Sequence, residues 1–194
     1  MTSASRRSEE ALATLALAGR RARSVLVGGL GMGFTLRAAL DALGADARVT
    51  VAEIDPTIVA WCEGPLAEAT RGAVKDSRVR VELGDVARAI ARARPGGYDA
   101  IALDLYEGPY AADGVFGARG LASAAAALAP GGALAVWSED DAPGFGKRLG
   151  AAGFAWETHR IAAGRTGRRH VVYVATRAPG ATQPAPRAPG PRRR

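Results

Sequence analysis

Residues 24–37, Ser-Val-Leu-Val-Gly-Gly-Leu-Gly-Met-Gly-Phe-Thr-Leu-Arg, constrain this chain more than any other stretch. Val25, Leu26 and Val27 form a short aliphatic run of the kind found in a buried strand. Gly28, Gly29, Gly31 and Gly33 follow at once, and Leu36, Leu40 and Leu43 then recur on one helical face. Strand, glycine turn and helix make the first unit of a nucleotide-binding α/β fold. Glycine suits such a turn because positive φ costs it nothing and no Cβ keeps a ligand at a distance.

The glycine spacing separates two ligand classes. A dinucleotide fingerprint requires G-x-G-x-x-G, whereas Gly29, Gly31 and Gly33 give G-x-G-x-G, and Phe34 takes the place of the last glycine. This favours an adenosylmethionine-type fold over an NAD-binding one, with a tight turn that binds nothing as the alternative. The second strand, Arg48 to Glu53, ends in an acid twenty residues past Gly33. In this fold class such an acid accepts hydrogen bonds from ribose hydroxyls. Asp55 then caps a helix that has Pro56 at its first position. The third strand, Ser77 to Leu83, leads into Gly84-Asp85, and Asp85 is placed to cap a helix, to lie near an adenine amino group, or both. The fourth strand, Tyr98 to Leu105, is apolar and reads as buried on both faces. Asp104 at its carboxyl end lies where open α/β sheets form their ligand crevice. Residues 106–110 and 114–120 form a cover over it.

The remaining segments complete a doubly wound pattern. Residues 8–19 read as a helix with Ser8 as N-cap, Glu9 and Glu10 at its positive end, and Leu12, Leu15 and Ala16 as the buried stripe. Leu121 to Leu128 reads as a helix stopped by Pro130-Gly131-Gly132. Ala133 to Trp137 is the fifth strand and Phe145 to Ala152 a further helix. Phe154–Ile161 and His170–Thr176 are two final strands joined by residues 162–169. The expected fold is α/β: a mostly parallel, seven-stranded, Rossmann-like sheet with a C-terminal antiparallel hairpin, as in class I adenosylmethionine-dependent methyltransferases. Residues 1–23 lead into a catalytic domain over 24–177, and residues 178–194 form a Pro- and Arg-rich tail too poor in apolar surface to fold.

Charge excludes little until it is localised. The formal net charge is +7, but Arg187, Arg192, Arg193 and Arg194 lie in the tail with no acid, which leaves +3 for residues 1–177. That is too small a field for a dedicated nucleic-acid binder. Arg165, Arg168 and Arg169 read as a solvated hairpin loop. Cys62 is the single cysteine, so no internal disulfide or cysteine-rich metal site can form, and it reads as packed on its helix. His159 and His170 have no ligand-like spacing, and no metal is expected. Trp61, Trp137 and Trp156 read as core or pocket walls. Ser5-Arg6-Arg7 before an alanine-rich run resembles an export signal, but Glu9 and Glu10 interrupt it, so a helix and a cytoplasmic location are expected. No stretch approaches the length of a membrane span.

Residues 25–37, 51–55, 76–85 and 98–109 together resemble successive motifs of the spermidine synthase family of aminopropyltransferases, in particular its short spermidine synthase-like members. The similarity runs from about Ser8 to Thr176 and covers the family's catalytic domain. The resemblance implies that Gly28, Gly29, Gly31 and Gly33 form the cofactor loop, that Glu53 holds the ribose, and that Asp85 lies near adenine. Ile54 and Val86, next to those acids, complete the expected nucleoside contacts. Asp104 corresponds to the first aspartate of the family's D-S-S-D stretch, the proton acceptor, and Glu107 falls at the second. The implied cofactor is S-adenosylmethionine or its decarboxylated form. The implied partner is a small polyamine-like amine, and the resemblance allows a homodimer. Met32 stands where the family has an aspartate contacting the aminopropyl amine, and Asp104-Leu105-Tyr106-Glu107 replaces D-S-S-D. The first helix has alanines where the family has polar pocket residues.

The chemistry is a displacement at a sulfonium. An amine attacks a carbon next to the sulfur, a C–N bond forms, and the C–S electron pair leaves with a neutral thioether. Rate comes mainly from alignment. The amine must first lose a proton, because an alkyl ammonium has a pKa near ~10. Asp104, with Glu107 three residues on, is the expected acceptor. Two alternatives stand beside aminopropyl transfer. Met32 fits a methyltransferase on the same fold, and a domain that binds a nucleoside without turnover fits the missing pocket residues.

Overall fold

The computed structural model describes residues 6–162 and 169–178. Among the described residues, six α-helices alternate with strands up to a final pair of consecutive strands, seven strands in all. They are α1 (Arg6–Leu17), β1 (Ser24–Gly28), α2 (Phe34–Ala42), β2 (Arg48–Glu53), α3 (Pro56–Glu63), β3 (Val79–Leu83) and α4 (Val86–Arg92), followed by β4 (Tyr98–Leu103), α5 (Ala118–Ala127), β5 (Leu128–Ser138), α6 (Phe145–Ala151), β6 (Phe154–Ala162) and β7 (Arg169–Arg177). The strands form one sheet in the order β3-β2-β1-β4-β5-β7-β6. Neighbours from β3 to β5 are parallel, and β7 runs antiparallel to both β5 and β6. The order reverses between β1 and β4, which opens a crevice at the carboxyl ends of those strands. The doubly wound sheet with its antiparallel hairpin is the architecture expected from the sequence.

Period-two alternation decides which residues meet which helices. Val25, Val27, Ala100, Ala102 and Ala135 face the layer of α1 and α2, in one core with Leu12, Ala13, Ala16, Leu36 and Leu40. Leu26, Ile101, Leu103, Leu134 and Val136 face the other layer, in a core with Ile90, Leu121, Phe145 and Leu149. Alanines dominate the α1 side of β4 and β5. Small side chains there let α1 seat close to the sheet, with Leu12 fully buried. Burying one such leucine contributes about 1.5–3 kcal/mol.

Several boundaries differ from the sequence reading. The first helix starts at Arg6, so Ser8 is inside it and is no N-cap. Its hydroxyl is fully buried and bonds His170 Nδ1 on β7 at 2.8 Å. The third strand starts at Val79, because Ser77 and Arg78 belong to a turn closed on Asp76. Arg78 also donates to Asp76 through Nε at 2.9 Å and to the carbonyls of Leu40 and Leu43, both at 3.0 Å, which closes the end of α2. The Arg78 guanidinium holds the Asp76 carboxyl down to about 2. The fourth strand ends at Leu103, one residue before Asp104. Pro130-Gly131-Gly132 does not separate helix from strand: β5 already begins at Leu128, and its register against β4 jumps between Tyr98 and Ala100. Trp61 and Trp156 are about half exposed, so neither is a core residue. The expected tail beyond residue 178 and the arginines at 165 and 168 lie outside the described residues. Among the described residues no helix is long and apolar enough to cross a membrane, and no group of three metal-ligating side chains forms.

Candidate active site

β2, β1 and β4 end side by side, with Gly28 opposite Ala52 on one flank and Leu103 on the other. The ladder runs past the strand ends: Gly29 donates its N–H to the Ala52 carbonyl at 2.9 Å, and Asp104 donates its own to Gly28 at 2.8 Å. Gly29 has φ 82°, and a Cβ there would lie 2.2 Å from the Asp104 carbonyl oxygen. Only glycine fits, so the first duty of Gly29 is to let β1 meet the segment that carries Asp104. Gly31 and Gly33 also have positive φ, and Gly33 opens α2. Val86, at the start of α4, is buried and packs against Gly28.

Glu53 closes β2 and is 8% exposed. Its Oε2 accepts from the Leu30 N–H at 2.8 Å and its Oε1 from the Asp55 N–H at 2.9 Å. One donor on each oxygen fixes the carboxylate and leaves further lone pairs for two hydroxyls. Beside it Ile54 is 72% exposed and Leu83, paired in register with Glu53, is 63% exposed. Two uncovered aliphatic side chains beside an anchored acid suit a flat heterocycle joined to a diol. Asp85 caps α4 by accepting from the Ala87 N–H at 2.8 Å and is otherwise exposed. Asp55 caps α3 in the same way through Thr57. The residues present therefore fit an adenosyl group.

Asp104 stands on the other flank of Gly29 and is half-buried. Its Oδ2 accepts from Thr35 Oγ1 at 2.7 Å. Burial pushes the carboxyl up to about 6, with the Thr35 hydrogen bond opposing the shift. Glu107 is exposed in the loop that follows, beside a Tyr106 that is 97% exposed. The loop is held from its far side. Arg148 donates to the carbonyls of Pro109 and Ala111, and the Tyr110 hydroxyl accepts from the Asp140 N–H at 2.8 Å.

Two site residues escaped the sequence reading. Thr35, in the first turn of α2, is buried and bridges two elements: its Oγ1 also lies 3.3 Å from the Glu9 carbonyl. A hydroxyl has one proton, and the shorter contact assigns it to Asp104. Glu9 is the second. It is 7% exposed, and its Oε2 has no hydrogen-bond partner among the described residues. Burial, then the charges of Asp104 and Glu10, push its carboxyl up to about 7. A signal for it was present, since residues 9, 12, 13 and 16 share one helical face and the other three are apolar. Cys62 is packed as expected, its thiol donating to the Gly31 carbonyl at 3.4 Å, and burial followed by the Glu53 charge pushes it up to about 11.

No protein-family model and no curated protein matches the sequence. Solved structures do match. Spermidine synthase from Thermotoga maritima superposes with a TM-score of 0.72 at 18% identity, over 89% of this chain and 60% of that one. A spermidine synthase in complex with the transition-state analogue AdoDATO gives 0.70 at 19% identity, over 89% of this chain and 59% of that one. The 1,6-didemethyltoxoflavin-N1-methyltransferase of Burkholderia thailandensis, bound to 1,6-didemethyltoxoflavin and S-adenosylhomocysteine, gives 0.63 at 22% identity, over 88% of this chain and 78% of that one. The chain thus spans about three-fifths of the length of the two synthases. At these identities the likeness establishes the fold: this chain has the class I methyltransferase-like Rossmann fold that the spermidine synthases and the methyltransferase have in common.

Proposed function

We propose that the protein is a transferase that uses S-adenosylmethionine or its decarboxylated form and transfers an aminopropyl group to a small amine. The reading rests on one arrangement: Glu53 and Asp104 flank Gly29 on the same sheet edge, each oriented by donors of this chain. When bound, the sulfonium donor supplies an electrophilic carbon and a neutral leaving group. Glu53 holds the ribose hydroxyls, Ile54 and Leu83 cover the base, and the Gly29–Gly33 turn admits the chain that bears the sulfur. Asp104 holds the incoming ammonium group and takes its proton; Glu107 draws cations toward the loop. A carboxyl near 6 is mostly ionised at neutral pH and still basic enough to accept a proton.

Met32 favours a second reading. A thioether stands where an acid would hold the aminopropyl amine, which suits methyl transfer to an amine at the same Asp104. Incubation with each donor and a panel of amines, followed by mass spectrometry, separates the two by the mass added. Asp104→Asn should abolish transfer by either route while donor affinity stays within a few-fold. Full activity in that variant removes Asp104 from the chemistry.

A further inference from the structure

The sheet ends on one side at β6, and among the described residues no strand pairs with its outer edge. β6 pairs with β7 through nine consecutive residues without a break in register, and it contains no proline, glycine or lysine. Proteins blunt exposed edges with short strands, prolines, lysines or bulges. The opposite edge, β3, follows that rule with five residues, whereas β6 has nine. Ala155, Trp156, Glu157 and Thr158 are all exposed, so both faces of β6 are open there. Trp156 adds a second observation. It is 46% exposed, yet its seat is prepared. A Cβ at Gly146 of α6 would lie 2.3 Å from the indole, so a side chain there would displace the ring. Glycine weakens a helix, and the indole that α6 accommodates at that cost is left half uncovered.

We propose that β6 pairs antiparallel with β6 of a second copy of this chain, about a two-fold axis that passes through Thr158 perpendicular to the sheet. Such an axis keeps each side chain on its own face, so residues an even number of positions apart meet across it. Centred on Thr158, the pairing sets Thr158 against its own copy and Trp156 against Arg160 of the second copy. Arg160 is tied to Asp141 at 2.6 Å, which already orders its guanidinium for a cation–ring contact. On the other face Glu157 meets His159 and Ala155 meets Ile161. Paired threonines, opposite polar partners and apolar pairs are the favourable cross-strand combinations. Neighbouring registers lose them. An axis at Glu157 sets two carboxylates directly opposite each other. An axis at His159 opposes two imidazoles and faces Glu157 with Ile161, and one at Arg160 opposes two guanidinium groups. The strand is therefore complementary to itself in the register centred on Thr158. β4, which borders the active-site crevice, lies three strands from this edge. Both copies keep that crevice open, and the interface does not depend on the chemistry proposed above.

Sedimentation equilibrium on the full chain should give twice the chain mass at micromolar concentration. Trp156→Ala should weaken the dimer at least ~10-fold, with its fold checked by circular dichroism. Thr158→Cys, on the axis, should form an interchain disulfide under mild oxidation. Facing residues of an antiparallel ladder lie about 4.5–5.5 Å apart, within disulfide reach. His159→Cys should not, because its copy is displaced two positions along the strand, about 8 Å away. Cys62 is 1% exposed and does not compete. The cysteine pair decides the register independently of the tryptophan variant. A wild-type chain that stays monomeric overturns the proposal. So does a dimer in which Thr158→Cys fails to cross-link, in which His159→Cys cross-links as readily, or in which a folded Trp156→Ala associates like wild type.

Discussion

Glu9 gives the sharpest stability prediction, because burial has moved its carboxyl from 4.5 to about 7. A carboxyl whose folded-state pKa is raised binds its proton more tightly when folded. Its favourable contribution is complete below the unfolded value near 4.5 and is lost as pH rises through about 7. Above that, the folded protein holds an ionised carboxylate in a site that disfavours it, at a cost of about 3 kcal/mol relative to a solvated one. Glutamine has nearly the same shape and cannot ionise. Glu9→Gln should therefore stabilise the protein by up to about 3 kcal/mol at pH 8.5, or roughly 6–10 °C in Tm for a domain of this size. At pH 5, where Glu9 is protonated when folded, the gain should shrink to less than about 1 kcal/mol. Urea unfolding followed by circular dichroism at pH 5 and pH 8.5 measures both. Asp104, pushed up to about 6, shifts stability in the same direction, so some pH slope persists in the variant below neutrality. An equal effect of Glu9→Gln at the two pH values, or a loss of stability at pH 8.5, would refute the reasoning.

Two substitutions test the framework around the acids. Gly29→Ala places a Cβ 2.2 Å from the Asp104 carbonyl at φ 82°, and should cost at least about 3 kcal/mol; a chemical denaturation midpoint equal to wild type would show that β1 and the Asp104 segment can separate. Ser8→Ala leaves His170 Nδ1 without the hydroxyl that bonds it at 2.8 Å in a buried site. A loss of about 1–3 kcal/mol is expected, read from thermal melting, with faster hydrogen exchange in α1; unchanged exchange would mean that packing alone holds the helix.

The mostly parallel sheet with its antiparallel hairpin, and the two acids at its carboxyl edge, were legible because they depend on local chemistry. Val25–Val27 could only be a buried strand, the glycines after it could only be a turn, and Glu53 and Asp104 each closed an apolar run. Each of those signals is contained within about a dozen residues of chain. What was hidden depends on packing between distant segments. Ser8 has the composition of a cap, and only the histidine on β7 turns it into a buried link. Glu9 looked like an acid placed for the helix dipole, while the phase it shares with Leu12, Ala13 and Ala16 set it toward the sheet. Gly29 was read as room for a ligand, and the carbonyl of Asp104 claims that room first. Pro130-Gly131-Gly132 carries a strong stop signal, yet the backbone there stays in the ladder by a change of register. Trp61 and Trp156 show that aromatic size alone does not place a side chain inside.

The bond between Ser8 and His170 spans 162 positions of sequence, and it has a consequence for synthesis. While the ribosome is still making the first five strands, α1 has its sheet floor but not its tether. Glu9 reaches its final depth only after β7 has emerged and docked. Until then the first turn of α1, which carries Glu9 and touches Thr35 of α2, is held by packing alone, so this corner of the sheet is the last part to be completed.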